Sequence, residues 1–152
     1  MKVDNAGSRR EQCFSSESND RPGDVFHPDF LQGKAAFFDI SVRNSFTNHF
    51  INSCSTKAGA AAEAGEVQKD LRYDSDVTSA GASFYPMIVE TYGTWSTYSL
   101  EIIKVIARKT SVLNKLPVSR IVCNIHEQLA VRLWQYNARM VLDRLHLVCH
   151  GE

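Results

Sequence analysis

The chain has 152 residues, 43% of them hydrophobic, and its 17 Lys/Arg balance 17 Asp/Glu. That length suits one domain with a real core rather than two, and a net charge of zero means that bulk charge points to no partner. No apolar run approaches the ~18 residues that a membrane-spanning helix needs. The four cysteines (Cys13, Cys54, Cys123, Cys149) make no C-x-x-C pair and have no His at zinc spacing, which argues against a zinc site.

Residues 1–20 are polar, with no leader-like apolar segment, so they read as a flexible N-terminal segment with one short strand at Glu11–Ser15. Reduced thiols and the missing leader place the expectation in the cytoplasm or nucleus, an intracellular protein. Asp24–His27 and Ala35–Val42 read as a β-hairpin turning at Gln32-Gly33. Alternation puts Phe37, Asp39 and Ser41 on one face of the second strand, with Phe38, Ile40 and Val42 on an apolar, buried face. A turn centred near Leu31-Gln32 pairs position 24 with position 39. Residues so placed have Cβ atoms only about 5 Å apart. Two like charges that close destabilise a sheet unless something binds between them, and a divalent cation held by hard oxygen ligands meets that need.

Arg43–Cys54, rich in Asn, Ser and Thr, predicts a loop or a fraying helix start. Lys57–Tyr73 is Ala-rich with Glu63, Glu66 and Lys69 at helical spacing, and predicts a helix capped by Ser55 or Thr56. Its glycines, Gly59 and Gly65, suggest close packing on the sheet. Asp74–Ser83 reads as a polar turn. Phe84–Glu90 reads as a buried strand with Pro86 near its entrance, ended by Gly93. Ser96 or Thr97 caps a helix through Lys109. Asn114–Pro117 breaks the chain, and Val118 to about Leu145 is a longer helix with Ile121, Ile125, Leu129, Leu133 (or Trp134), Met140 and Val141 as its stripe. Residues 146–152 remain as a tail. The order predicts an α/β domain over residues 21–145, with α+β as the alternative: a small mixed sheet with a central hairpin, flanked by helices.

Arg21-Pro22-Gly23-Asp24, fourteen intervening residues, Asp39-Ile40-Ser41-Val42, and a later helix carrying Lys69 and Tyr73 form an ordered set. It resembles the PD-(D/E)xK nuclease superfamily, and more closely the restriction-like endonuclease domain of site-specific non-LTR retrotransposons. Phe84–Trp95 and Asn137-Ala138-Arg139-Met140 also look like sequences at the ends of retroelement-derived reading frames. The resemblance spans about residues 9–145. It implies a restriction-endonuclease-like fold and Mg²⁺-dependent (or Mn²⁺-dependent) hydrolysis of DNA phosphodiesters. By it, Asp24 and Asp39 coordinate the metal, with the Ile40 carbonyl as a further ligand. The superfamily's usual lysine position holds Ser41, and Lys69 on the following helix takes that role, positioned by Tyr73. DNA is the implied partner, together with the reverse transcriptase domain of a parent element. The superfamily's first core helix has no counterpart here, and Glu11 is the only acid ahead of the hairpin to stand in for it.

The basic residues concentrate towards the rear. Residues 1–96 carry 9 Lys/Arg and 13 Asp/Glu, and residues 97–145 carry 8 and 3. Lys104, Arg108, Lys109, Arg120 and Arg132 are thus candidates for the DNA backbone. Each site residue has a plainer reading. Asp24 caps a turn, Asp29 is a turn residue, and Asp39 pairs with Lys69 or Arg43. Lys69 is a solvated helix lysine, and Glu90 is either an extra acid or a strand-end surface group. Trp95 and Trp134 are core or domain-edge aromatics, and His27, His49, His126 and His146 lie on surfaces. An inactive remnant that binds nucleic acid, or an interaction module built on the last helix, is the competing function.

Overall fold

The computed structural model describes residues 9–10 and 23–150, with side chains placed for residues 23–145. Strands β1 (Arg9–Arg10), β2 (Val25–Leu31), β3 (Lys34–Arg43) and β4 (Ser83–Glu90) form one sheet in the order β1-β2-β3-β4. The first two pairings are antiparallel and β3–β4 is parallel, so the sheet is mixed, as expected. Helices α1 (Ile51–Thr56) and α2 (Ala60–Ser79) lie between β3 and β4, and α3 (Thr97–Asn114) and α4 (Val118–His150) follow. The strand expected at Glu11–Ser15 lies outside the described residues.

The hairpin turns at Gln32-Gly33, both with positive φ (53° and 77°), the geometry of a two-residue hairpin turn. Leu31 faces Lys34, but an irregularity between His27 and Leu31 shifts the ladder so that Val25 faces Phe38. The ladder ends at that pair, and Asp24 stands one residue before β2. Asp29 belongs to β2 rather than to the turn.

The sheet is covered on both faces. Phe37 and Phe84 pack with Val77 of α2, while Ala36, Phe38 and Met87 pack with Ile102 and Ile103 of α3. The expectation of a wholly buried apolar face on β3 is corrected at its far end, where Ile40 and Val42 are half-exposed. There α3 and α4 stand off the sheet and leave an open groove of about 820 Å³ over Val25, Phe38, Ile40 and Met87.

The helices run longer than predicted. The polar stretch from Asp74 to Ser79 continues α2 instead of turning, because buried Val77 anchors it to the sheet. Gly59 (φ 86°) starts that helix, and Ser96 caps α3 by accepting the Ser99 amide. The last helix passes Leu145 and reaches His150. Its inner ridge is Ile121, Ile125, Leu129, Leu133 and Asn137, four residues apart. Trp134 is exposed on a flank of the helix, and Met140 and Val141, further along the ridge side, are exposed as well. Leu129 and Leu133, the residues on which a partner-binding module would have relied, are turned towards the protein's own interior.

Candidate active site

The site begins with a ridge on α2. Ala61, Gly65, Lys69, Tyr73 and Val77 fall four residues apart and line up on one face. The small residues let the helix lie close: a Cβ added at Gly65 would stand 2.8 Å from Arg43 Nε and 3.2 Å from Ile88 Cγ2. This closeness lowers Lys69 onto the β3 side chains that face the helix, Asp39, Ser41 and Arg43.

Asp39 is only 8% exposed, beside Pro86 on the parallel neighbour strand. A carboxylate so placed needs partners. Lys69 Nζ lies 2.8 Å from Asp39 Oδ2, and the Ser41 hydroxyl donates to the same oxygen at 3.3 Å. Asp39 Oδ1 takes part in neither contact. The ammonium of Lys69 also sits 5.7 Å from the centre of the Tyr73 ring, a cation–π contact that holds the amine over the sheet. Tyr73 is fixed in turn against Phe84, with ring centres 5.6 Å apart.

Asp24 reaches the same place from the other side. Because β2 begins at Val25, the amide of Ile40 lies past the last β2–β3 pair, and Asp24 Oδ2 accepts its hydrogen bond at 2.8 Å. Gly23 makes this approach possible: a Cβ there would lie 2.8 Å from the Phe38 carbonyl oxygen. The carboxylate of Asp24 therefore rests on the backbone of the residue next to Asp39. Asp24, Asp39, Ser41, Lys69 and Tyr73 are all brought to one end of the β2–β3 pair.

Glu90 is not drawn into that cluster. It is 5% exposed, which corrects the reading of a strand-end surface group, and its Oε1 accepts the Ala61 amide at 3.0 Å. Gly59 has no side chain with which to cap α2, so Glu90 supplies the acceptor from β4, where the helix dipole favours a negative charge. Cys54 Sγ lies 3.7 Å from the same oxygen.

The basic residues expected on the DNA backbone lie on the helices that cover the opposite face of the sheet from Lys69. Lys104 pairs with Glu101 at 2.6 Å, and Lys109 stands over the Phe30 ring at 5.0 Å. Arg132 donates to Gln135, and Arg108 and Arg120 are exposed. Arg43, four residues after Asp39, donates to Gln68 through its guanidinium at 2.7 Å, while its buried Nε has no hydrogen-bond partner among the described residues.

Sequence reasoning missed Gly23 and Gln68. Gly23 precedes the first acid in Arg21-Pro22-Gly23-Asp24, and a glycine in that place was a readable sign of close backbone approach. Nothing in the sequence marked Gln68.

Two carboxylates and a backbone carbonyl are a sufficient protein share for Mg²⁺, which keeps several waters and takes further oxygens from a phosphate. Among the described residues, no group of three or more His, Cys, Asp or Glu side chains gathers into a metal cage, and no helix is long and apolar enough to cross a membrane. Compared with known proteins, the chain matches no family model, no curated protein and no solved structure.

Proposed function

We propose that this chain is a metal-dependent DNA endonuclease-like domain of retroelement origin. The observation that carries the reading is the meeting of Lys69 with Asp39 at 2.8 Å, beside the backbone amide held by Asp24. The resemblance to restriction-like endonucleases asks for two acids and a lysine together; the Lys69–Asp39 pair and the Asp24–Ile40 hydrogen bond support that reading. In this reading Asp24, Asp39 and the Ile40 carbonyl hold Mg²⁺ or Mn²⁺. The bound ion supplies charge neutralisation at the phosphate and a water of lowered pKa. Lys69 places a fixed positive charge beside the developing negative charge on the phosphate oxygens, and Tyr73 keeps the amine over the sheet. Ser41 orients Asp39 by donating to Oδ2, and the buried setting strengthens each of these interactions.

The test is nicking of supercoiled plasmid DNA by the purified chain with Mg²⁺ or Mn²⁺. Nicking should vanish in EDTA and in Asp39→Ala, and persist in Lys104→Ala. Cleavage by Asp39→Ala at the wild-type rate would sink the assignment.

One observation favours a second reading, a nuclease-fold remnant that binds nucleic acid without cutting it. The direct Lys69–Asp39 pair leaves the carboxylate already neutralised, so a cation must compete with an ammonium for it. Salt-sensitive DNA retention with no nicking at any metal concentration supports that reading.

A further inference from the structure

A second pocket, of about 380 Å³, opens where β3 and β4 end. Ser45 and Phe46 follow β3, Glu90 ends β4, Tyr92 follows it, and Ile51 and Cys54 come from α1. The walls are mostly apolar, and among the described residues Glu90 is the only charged one in them.

Glu90 is 5% exposed and still reaches this pocket. Its Oε1 takes the Ala61 amide and lies 3.7 Å from Cys54 Sγ, and Oε2 takes part in neither contact. A carboxylate held out of water calls for a cation beside it. Arg43, its partner across the β3–β4 ladder, gives its guanidinium to Gln68 instead, and Lys57 pairs with Glu63. The start of α2 supplies only about half a positive charge. The floor of the pocket therefore keeps part of its negative charge unanswered.

The mouth is aromatic. The Phe46 and Tyr92 rings stand 5.2 Å apart at 79°, and Trp134 of α4 backs Tyr92 at 6.0 Å. At 62% and 60% exposure, Phe46 and Tyr92 serve the pocket rather than the core. Ring faces attract a cation and repel an anion. A hard metal ion would want several oxygen ligands, and among the described residues no such group of acidic side chains gathers. A neutral ligand would leave the carboxylate as it is.

We propose that this pocket binds a small organic cation of the alkylammonium class, with its charge between the Phe46 and Tyr92 rings and the Glu90 carboxylate. The alkyl groups match the apolar walls, and the diffuse charge is cheap to strip of water. The site uses none of Asp24, Asp39 and Lys69, so it stands or falls apart from the endonuclease reading.

The test is an NMR titration of the full chain with choline and with tetramethylammonium at constant ionic strength. The comparison ligand is 3,3-dimethylbutan-1-ol, the uncharged carbon isostere of choline. Both cations should bind saturably, and the isostere about tenfold more weakly than choline or worse. Glu90→Gln keeps an acceptor for the Ala61 amide, so it should fold, yet it should lose about tenfold or more in choline affinity. Phe46→Leu and Tyr92→Leu should each lose about threefold or more. Leu71→Ala, an exposed apolar residue on α2, should leave binding unchanged. Circular dichroism melts check that each variant folds. Absence of saturable binding by either cation overturns the proposal. So does equal affinity for the isostere, or wild-type affinity in Glu90→Gln, because the pocket is then merely apolar.

Discussion

Removing the Lys69 ammonium should be the most revealing single change to the site. Lys69→Met keeps the methylene stem but leaves Asp39, 8% exposed, with only the Ser41 hydroxyl at 3.3 Å. Stripping one partner from a fully buried ion pair costs about 3–5 kcal/mol. Lys69 is 23% exposed at its side chain, so solvent relieves part of that, and a loss of about 1.5–3 kcal/mol is expected. Asp39→Asn should cost a similar amount. The double variant should cost little more than either single one, which gives a coupling energy of about 1–2 kcal/mol. Urea unfolding in EDTA reads all four corners of the cycle, and at this size 1 kcal/mol corresponds to roughly 2–4 °C in melting temperature. Metal supplies a second comparison. If Asp39 is a cation ligand, Mg²⁺ takes the place of the missing ammonium, and Lys69→Met regains stability as the metal concentration rises past its dissociation constant. Asp39→Asn should gain nothing. Single variants within 0.5 kcal/mol of wild type, or costs that simply add, would refute the pairing argument. Equal metal responses in Lys69→Met and Asp39→Asn would refute the ligand assignment alone.

Three other outcomes follow from the same geometry. Gly23→Ala should destabilise by about 1–3 kcal/mol and abolish any Mg²⁺ response, because its Cβ meets the Phe38 backbone at 2.8 Å and pushes Asp24 off the Ile40 amide; urea unfolding with and without metal checks both effects. Glu90→Ala should lower stability by about 1–2 kcal/mol, since it uncaps α2 at the Ala61 amide, and Glu90→Gln should recover most of it by keeping the acceptor. Burial raises the Glu66 carboxyl above its usual 4.5, with the Ser96 hydroxyl pulling the other way and Asp70 and Glu63 adding to the rise. A carboxyl raised in the folded state binds its proton more tightly there, so stability is fully present below about pH 4.5 and is lost as pH climbs through the raised value. Glu66→Gln should therefore be more stable than wild type at pH 7 and lose that advantage below pH 4.5, as read from melting temperature across pH.

Local pattern was enough to place the hairpin, the Phe84–Glu90 strand and helices α2, α3 and α4, but not α1, which takes in Ser55 and Thr56, the hydroxyls expected to cap α2. Alternation, positive-φ turn residues and capping hydroxyls act over a few residues and do not depend on the rest of the chain. The same alternation put Asp39 and Ser41 on one face, and Asp24, one residue before β2, accepts from the Ile40 amide next to Asp39. The lengths of α2 and α4 were not legible, because a polar run such as Asp74–Ser79 stays helical only when a distant surface buries Val77. Glu90 misled for a related reason: a carboxylate at a strand end reads as exposed until a helix start arrives over it.

What the sequence by itself determined is an ordered set of acids, a lysine and a tyrosine on elements of known type. Only the tertiary structure decided that Lys69 descends onto Asp39, because that depends on how closely α2 packs, and Gly65 against Arg43 and Ile88 sets that distance. It alone gathered Phe46, Tyr92 and Trp134. Periodicity records which face a residue occupies on its own element. It carries no information on which other face will lie opposite, since that choice belongs to long-range packing.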